Sequence, residues 1–362
     1  MRVKVMEKID KIRFFLKEKN LDALVLFSKE NTLFITGIMD FEGVVLVTKT
    51  DKVYCFTDSR YIEVAKYKTE KYGFVTTTVE GNDYYRAIGN ICSDLIIKKI
   101  GFEDKFLSVY DFENLKKYVK CEFVGISSDL LKIRAIKFQW ELESIKSAQS
   151  IAERAFDTIL GEIKPGITEN ECKARLEYLM TLYGSEKTPF PTILISGAKT
   201  SMPHGTPNYK AIDNGDFITF DFGAVVNGYC SDMTRTVAVG EVTSEMRKVY
   251  DTVLHAQMTA VEYAKPGISG AELDGVARNI IDNAGYGSYF GHALGHGVGI
   301  EVHEEPRVSP NNKRNLETGN VITIEPGIYI PGVFGVRIED MLYIDRISSV
   351  NLTSYSKKLI IL

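Results

Sequence analysis

The segment KPGITENE at residues 164–171 decides the fold, because it recurs as KPGISGAE at residues 265–272. In both copies a Pro-Gly pair, which ends one helix, comes just before Thr168 or Ser269, and a glutamate follows three positions later. This spacing is typical of a capping box, which starts a new helix. The repeat predicts that the same pair of helices, joined by the same turn, occurs twice in the chain.

Two β-rich segments repeat in the same order, GDFITFDFG at residues 215–223 and GNVITIEPG at residues 319–327. Each carries a carboxylate at its seventh position, Asp221 in the first copy and Glu325 in the second. Two matches in the same order and at nearly the same spacing predict a domain of two related halves. We assign this domain to residues 131–362.

Residues 1–130 are expected to form a separate, smaller α/β domain. A helical pattern covers residues 9–19, and strand-like runs occur at 23–27, 44–47, 53–56, 74–79 and 123–126. No cluster of catalytic residue types stands out in this part. A chain of 362 residues is long enough for two domains. The predicted fold class is therefore α/β (α+β), with one small domain before the repeated one.

The composition is that of a globular protein without an unusual charge. There are 44 Lys and Arg against 48 Asp and Glu, and the net charge of −4 indicates neither a nucleic-acid partner nor a membrane surface. No apolar run reaches the ~20 residues that a bilayer requires. The five cysteines are widely spaced and odd in number, which favours reduced thiols and a cytoplasmic location.

One predicted hairpin brings two aspartates together. The Asn-Gly pair at residues 227–228 is a strong two-residue turn signal. With that turn, residues whose numbers add up to 455 face each other, so that Asp221 lies opposite Thr234 and Asp232 opposite Gly223. The two aspartates then become diagonal neighbours on one face of the sheet. We interpret Gly223 as leaving room for an ion between them.

The second half repeats this plan with Glu325 and Glu339, and Arg337 shares a strand face with Glu339. Four acids gathered on one inward face would repel each other, and divalent cations resolve that repulsion. The alternative is that the acids are exposed strand or turn residues. Hard carboxylate oxygens suit manganese, cobalt or ferrous iron better than a dedicated zinc site.

Histidines cluster near the second half of the repeat. The glycine-rich run at residues 291–299 contains His292 and His296. We choose His296 as the metal ligand, and His292 is expected to line the substrate pocket. His303 and His204 are candidates for holding the substrate and moving protons.

These segments resemble the "pita-bread" metallopeptidases, and within them the proline-specific branch of Xaa-Pro aminopeptidases and prolidases. The motifs are SMPHG (201–205), DFG (221–223), SDMTRT (231–236), GHGVG (295–299), VHE (302–304), IEPG (324–327) and VRIED (336–340). TDSRY (57–61) extends the resemblance to the first domain, which is similar to the creatinase-type N-terminal domain of the family. The pseudo-twofold fold of the family agrees with the repeat.

The resemblance implies two divalent metal ions held by Asp221, Asp232, His296, Glu325 and Glu339. Manganese or cobalt is usual in the family, and zinc and ferrous iron remain open. Substrate-binding roles are implied for His204, His292, His303 and Arg337, and catalytic roles for His204, His303, Glu325 and Arg337. In the mechanism we expect, Glu325 passes a proton from the attacking water to the leaving nitrogen, and His303 or His204 stabilises the oxyanion.

We therefore predict a peptidase that hydrolyses the bond between an N-terminal residue and a following proline, an Xaa-Pro aminopeptidase. An Xaa-Pro dipeptidase, or prolidase, is the alternative with the same site. More distant alternatives are a methionine aminopeptidase-like activity, a creatine-type hydrolase and a non-catalytic peptide-binding module on the same fold. The expected partner is a peptide with proline at its second position, and the resemblance implies a homodimer.

Overall fold

The computed structural model describes residues 2–39, 41–50, 52–79 and 83–362. The chain divides into two compact units, Met1–Ile133 and Arg134–Leu362. Among the described residues, no helix is both long enough and apolar enough to cross a membrane.

The helices are α1 (Arg2–Glu18), α2 (Lys29–Thr36), α3 (Ile62–Thr69), α4 (Tyr84–Asp94), α5 (Val109–Tyr118), α6 (Ser127–Ala135), α7 (Gln139–Leu160), α8 (Glu169–Leu182), α9 (Ser244–Tyr263) and α10 (Gly270–Asn283). Short 3-10 helices occur at Glu70–Tyr72, Gly197–Ser201 and Gly287–Tyr289.

The strands of the first unit are β1 (Ala23–Leu26), β2 (Gly43–Thr48), β3 (Val53–Thr57), β4 (Val75–Thr78), β5 (Lys99–Phe102) and β6 (Glu122–Gly125). Those of the second unit are β7 (Ile193–Ser196), β8 (Phe217–Phe222), β9 (Val225–Val226), β10 (Tyr229–Cys230), β11 (Met233–Ala238), β12 (Gly295–Gly297), β13 (Glu304–Val308), β14 (Val321–Ile324), β15 (Gly327–Ile330), β16 (Phe334–Arg337), β17 (Asp340–Ile344) and β18 (Ser349–Asn351).

The first unit is built on one mixed sheet with the strand order β4-β3-β2-β1-β5-β6. The pairs β1/β2 and β2/β3 are antiparallel, and the remaining pairs are parallel. The five predicted strands all form, with ends that differ by one residue, and β5 is an additional strand. The predicted helix at 9–19 is also confirmed as α1, although it begins earlier in the chain, at Arg2.

The second unit repeats one helical plan, as the sequence predicts. Thr168 and Ser269 each cap a helix, α8 and α10, in a capping box with the glutamate three residues later. Gly166 and Gly267 have φ values of 94° and 90°, so that both turns use the same left-handed backbone conformation. The pseudo-twofold fold is thereby confirmed at the level of individual turns.

The predicted hairpin register in the first half is confirmed. Asn227 and Gly228 have φ values of 52° and 76°, as a two-residue turn of this type requires. Tyr229 pairs with Val226, and Thr234 pairs with Asp221. Asp221 therefore occupies the strand position that the turn predicts.

The interpretation of Gly223 is wrong. A Cβ atom at this position would lie 2.0 Å from the carbonyl oxygen of Ser231 and 2.9 Å from Cγ of Pro189. The backbone of the neighbouring strand and a proline ring fill the space that we assigned to an ion. Glycine is needed here because two strands approach each other closely.

Apolar side chains on the strand faces opposite the acids form the core of each half. In the first half, Phe220 packs on Phe156 of α7, with ring centroids 5.2 Å apart. In the second half, Ile322 and Ile324 of β14 are fully buried in a cluster with Val253 of α9. Since side chains alternate along an extended chain, this packing turns Asp221 of β8, and Glu325 directly after β14, away from the core.

Candidate active site

The second unit contains a cleft of about 510 Å³. All nine residues predicted to form the site line it, and they are His204, Asp221, Asp232, His292, His296, His303, Glu325, Arg337 and Glu339. The cleft is thus where the two halves of the repeat bring their polar side chains together.

Two hairpins position the four acids. Asp221 lies near the end of β8, and Asp232 lies just before β11, which pairs with β8. In the second half, Glu325 follows β14 directly, and Glu339 immediately precedes β17. Ile324 pairs with Asp340 on one side of these glutamates and Gly327 with Arg337 on the other, in the same register. Glu325 and Glu339 therefore occupy directly opposite positions, whereas the two aspartates are diagonal neighbours.

Three of the five predicted ligands form a tight, buried group. Asp232, His296 and Glu339 each offer one ligand atom, and these atoms lie within 4.8 Å of one another. The Nε2 atom of His296 lies 3.6 Å from Oδ2 of Asp232 and 3.2 Å from Oε1 of Glu325. The other ring nitrogen, Nδ1, lies 3.1 Å from the carbonyl oxygen of Gly297, which orients the imidazole toward the acids.

The acids are poorly neutralised by the protein itself. Burial, reinforced by the neighbouring carboxylates, raises the pKa of Asp232 and Glu339 well above the usual range. Burial also raises the pKa of Asp221, against the opposing effect of Arg337. Burial opposes ionisation of Glu325 as well, but the hydrogen bond and charge of His296 outweigh it and lower the pKa of Glu325 to about 2. The cluster therefore lacks positive charge.

The chemistry of this donor set fits divalent cations. The Oδ1 atom of Asp232 and the Oε1 atom of Glu339 are buried and have no hydrogen-bond partner among the described residues. A buried carboxylate oxygen without a partner is costly, and coordination to a cation removes that cost. The group can therefore hold metal ions through carboxylate oxygens and one imidazole nitrogen.

Arg337 joins the two halves of the site. Its Nη2 atom donates to Oδ2 of Asp221 at 2.6 Å, and its Nε atom donates to Oγ1 of Thr234 at 3.1 Å. The hydroxyl of Thr234 in turn donates to Oε2 of Glu339 at 2.7 Å. Arg337 thus contacts one predicted ligand directly and a second one through a threonine.

Tyr329 belongs to the site and was not predicted. Its hydroxyl accepts a hydrogen bond from Nη1 of Arg337 at 2.9 Å and lies 2.9 Å from Nε2 of His292. Because Nδ1 of His292 lies 2.8 Å from the carbonyl oxygen of Ala293, we assign the ring proton to Nδ1 and let Tyr329 donate to Nε2. Burial lowers the pKa of His292, which favours this neutral form. The sequence feature that goes with Tyr329 is the glycine at position 327. A Cβ atom on Gly327 would lie 2.4 Å from the tyrosine hydroxyl, so a side chain there would clash with it.

His204 and His303 are exposed to the solvent of the cleft. The ring of His303 lies 4.3 Å from that of His296 and is nearly perpendicular to it. Desolvation, with further contributions from His296 and Arg307, lowers the pKa of His303 to about 4. His303 is therefore neutral near pH 7, and a ligand in the cleft can reach both histidines.

Two cations in the cleft lining, Lys173 and Arg307, were also not predicted. Lys173 lies on α8, where its Nζ atom is 3.8 Å from Glu177. Arg307 is exposed, and it forms no ion pair within the described part of the chain. Neither residue stands in a repeated motif, so the sequence offered no signal for them.

Comparisons with known proteins agree with this architecture. The profile of Metallopeptidase family M24 matches residues 143–346, and that of the Creatinase/Prolidase N-terminal domain matches residues 8–136. The chain is similar to an Xaa-Pro dipeptidase of Pyrococcus horikoshii, with 40% identity over 356 residues that cover 98% of this chain and 99% of the relative.

Solved structures give the same result. An Xaa-Pro dipeptidase from Bacillus anthracis superposes with a TM-score of 0.94 at 38% identity, covering 99% of this chain and 100% of that chain. An X-Pro aminopeptidase from Thermotoga maritima has a TM-score of 0.89 at 36% identity, covering 95% of this chain and 98% of that chain. With a family profile that spans residues 143–346 and a full-length relative at 40% identity, the chain belongs to metallopeptidase family M24 and is a hydrolytic metallopeptidase.

Proposed function

We propose that this metallopeptidase cleaves Xaa-Pro dipeptides with two divalent cations bound in its cleft. The observation that carries the proposal is the convergence of four carboxylates and one imidazole in one cleft. The chain is also similar over its full length to proteins named Xaa-Pro dipeptidase. The sequence prediction ranked the aminopeptidase first and the dipeptidase second, and these relatives support the reverse order.

Five side chains would hold the cations, and they are Asp221, Asp232, His296, Glu325 and Glu339. The unpartnered buried oxygens of Asp232 and Glu339 support this assignment. A set of hard oxygen ligands with a single nitrogen favours manganese, with cobalt as the next choice. When bound, such cations polarise a carbonyl oxygen and lower the pKa of a water molecule.

Glu325 is suited to move the proton. Although burial opposes ionisation, His296 lowers the pKa of Glu325 to about 2, so that the carboxylate is ionised at neutral pH. Thr323 donates a hydrogen bond to its Oε1 atom at 3.2 Å and so orients it. Glu325 would accept a proton from the attacking water and deliver it to the proline nitrogen, which leaves as an amine.

His303 and His204 are suited to stabilise the developing negative charge on the substrate oxygen. Both are accessible from the cleft, and the neutral imidazole of His303 retains one N–H donor. Donors that are fixed before the reaction lower the free energy of a charged transition state. Arg337 and His292 line the same cleft, and the hydroxyl of Tyr329 connects their side chains through two hydrogen bonds.

The remaining lining suits a proline followed by a free carboxylate. The larger apolar members are Phe190, Pro191, Ile193, Pro203, Pro207 and Val302. An apolar wall accommodates the pyrrolidine ring, and an Xaa-Pro bond has no amide N–H that would need an acceptor. The exposed guanidinium of Arg307 can pair with the C-terminal carboxylate of a dipeptide.

The test is an activity assay of the manganese-loaded protein on Xaa-Pro dipeptides, Xaa-Pro-Yaa tripeptides and Met-Ala peptides. The proposal expects the highest kcat/KM on dipeptides, and it expects an amidated C-terminus to raise KM. Higher kcat/KM on tripeptides would favour the aminopeptidase, the alternative that the similarity to the Thermotoga protein supports. Cleavage of Met-Ala alone, or of no peptide, would overturn the proposal.

We further propose a homodimer in a reducing compartment, the cytoplasm. All five cysteines are free thiols, and four of them are buried. The dimer rests on the family resemblance, and light scattering on the purified protein tests it.

A further inference from the structure

Glu304 is a buried carboxylate directly behind the cleft. Its side chain is 2% exposed, and Lys137 donates to it from Nζ at 2.9 Å. Arg134 donates to its other oxygen from Nη2. The backbone N–H groups of Ile300 and Glu301 donate to the same oxygen, Oε1, at 3.0 Å and 3.1 Å. Four donors thus converge on one carboxylate that does not itself line the cleft.

The two cations ensure that Glu304 is ionised. Arg134 and Lys137 are as deeply buried as Glu304, and Lys137 also donates to the backbone oxygen of Arg134 at 2.9 Å. Burial alone would favour the neutral acid, but these two charges lower the pKa of Glu304 to about 2. An ionised carboxylate accepts stronger hydrogen bonds from amides than a neutral group does.

The amides that Glu304 holds belong to the loop at residues 299–303, which lies in the connection between β12 and β13. Two residues of this loop, Val302 and His303, line the cleft. At the start of the loop, a Cβ atom on Gly299 would lie 2.4 Å from the Glu304 carboxylate. Glycine at this position therefore lets the loop close directly over the carboxylate.

Cys230, in the first half of the repeat, also forms hydrogen bonds with this loop. The backbone N–H of Cys230 donates to the oxygen of Gly299 at 2.8 Å, and its Sγ atom donates to the oxygen of Ile300 at 3.2 Å. The N–H groups of Ile300 and Glu301 thus point to Glu304, whereas the oxygens of Gly299 and Ile300 point to Cys230. In the segment before His303, both the N–H groups and the carbonyl oxygens of the backbone are therefore hydrogen-bonded.

We infer that Glu304 is a positioning residue, which fixes the loop at residues 299–303 so that His303 presents its ring to the substrate. This inference rests on the proposed function, in which His303 stabilises the charge on the substrate oxygen. Glu304 does not touch the substrate and acts through the amides of Ile300 and Glu301.

A double-mutant cycle on Xaa-Pro hydrolysis tests the inference, with the variants Glu304→Gln and His303→Ala and their combination. Glu304→Gln is expected to lower kcat roughly 10- to 100-fold with a smaller change in KM, since a small misplacement of a reacting group is costly. In the His303→Ala background the same change should lower kcat less than about twofold. Equal fold losses in both backgrounds would show that Glu304 acts independently of His303 and would overturn the inference.

Glu301→Gln is the matched control. Glu301 also pairs with Arg134, and its side chain is the more exposed of the two acids. The substitution therefore removes one of the two negative charges that face Arg134. This variant is expected to keep kcat within about twofold of the parent protein. A loss as large as that of Glu304→Gln would mean that the charge of the network matters rather than the position of the loop.

Two further measurements separate the inference from folding and from the proposed function. If Glu304→Gln does not fold, the charge-balanced variant Glu304→Gln/Lys137→Met replaces it in the cycle. Hydrogen exchange of the amides of Ile300 and Glu301 requires no substrate, and it is expected to accelerate in the variant while β14 and β17 stay protected. Unchanged exchange in the loop would overturn the inference even if the protein cleaves no Xaa-Pro peptide.

Discussion

The Nη2 atom of Arg337 lies 2.6 Å from the Oδ2 atom of Asp221, in a partly buried ion pair that joins the two halves of the repeat. The same guanidinium reaches Glu339 through the hydroxyl of Thr234. One cation is thus shared by an acid of each half. It only partly neutralises the acids, because the pKa of Asp221 remains raised by burial.

Arg337→Gln is expected to destabilise the metal-stripped protein strongly. Loss of the guanidinium leaves Asp221, whose side chain is only 16% exposed, without its counterion. Breaking a fully buried pair costs about 3 kcal/mol, which is the upper bound of the loss expected here. Manganese supplies positive charge to the same acids, so the loss should be smaller in the metal-loaded protein. Urea unfolding in the presence of a chelator and of manganese measures both values.

Lys199→Gln is the control for this variant. Lys199 pairs with Glu169, which is fully buried but does not line the cleft. Its stability loss should be the same with and without manganese. If Arg337→Gln loses the same free energy of unfolding with and without manganese, a bound cation does not compensate for the missing charge of Arg337, and the prediction is wrong.

Tyr329→Phe is expected to lower both stability and kcat/KM. The hydroxyl connects Arg337 with His292, and its removal takes one hydrogen-bond partner from a buried guanidinium and one from a partly buried ring nitrogen. Such a change costs about 1–3 kcal/mol of stability. It also removes the hydrogen bond that orients the ring of His292, which lines the cleft. Tyr250→Phe removes a buried hydroxyl that donates to the backbone oxygen of Lys357. This control should lose stability but keep kcat/KM, and a parallel loss of kcat/KM in both variants would contradict the role of Tyr329.

The parts of the site that follow from local rules were predictable from the sequence. The Asn-Gly turn at residues 227–228 sets the pairing of its two strands, and from that pairing the position of Asp221 opposite Thr234 follows. The capping boxes at Thr168 and Ser269 revealed the internal repeat, which placed the acids of both halves in equivalent hairpins. These features depend only on residues that are close in the sequence.

The rest depends on contacts between distant segments. Thr234 bonds with Arg337 across 103 positions, and Glu304 bonds with Lys137 across 167. No periodicity or short motif reports such pairs, because they form only when whole elements pack. The error at Gly223 has a different origin. Ser231 belongs to the same predicted hairpin, but the pairing rule states which residues face each other and not how closely the two backbones approach.

Gly223→Ala is expected to disturb the site through the backbone. The new Cβ atom would lie 2.0 Å from the oxygen of Ser231, so the segment that carries Asp232 must move. Overpacking of this kind costs about 1–3 kcal/mol, and the affinity for manganese should fall with it. Calorimetric titration with manganese and urea unfolding measure the two effects.

The control is Gly275→Ala, in the helix α10. A Cβ atom there meets no atom within 4 Å, so the variant should gain up to about 1 kcal/mol from helix propensity. Its affinity for manganese should equal that of the parent protein. Unchanged manganese affinity in Gly223→Ala would show that the strand adapts without moving Asp232.

Asp232→Asn is expected to stabilise the metal-stripped protein while it weakens metal binding. Burial, followed by repulsion from Glu339 and Asp221, raises the pKa of Asp232 well above its usual value of 3.8. The stabilising effect of its proton is present below about pH 4 and is lost as the pH rises through the folded-state pKa. At pH 7 in a chelator, the neutral amide should therefore increase the free energy of unfolding by about 1 kcal/mol or more. The gain should shrink toward pH 4.

Asp340→Asn is the control for Asp232→Asn, and its effect on the free energy of unfolding is expected to have the opposite sign. Burial of Asp340 is outweighed by Arg235 and Lys357, which lower its pKa, so its stabilising effect is present at neutral pH and disappears as the pH falls below 3.8. This variant should lose stability at pH 7 whether or not manganese is present, because the amide leaves two cations without their partner. Urea unfolding from pH 4 to pH 8 compares the two variants. If both lose stability in the chelator, Asp232 is already neutralised by the protein, and the case for a cation at this position fails.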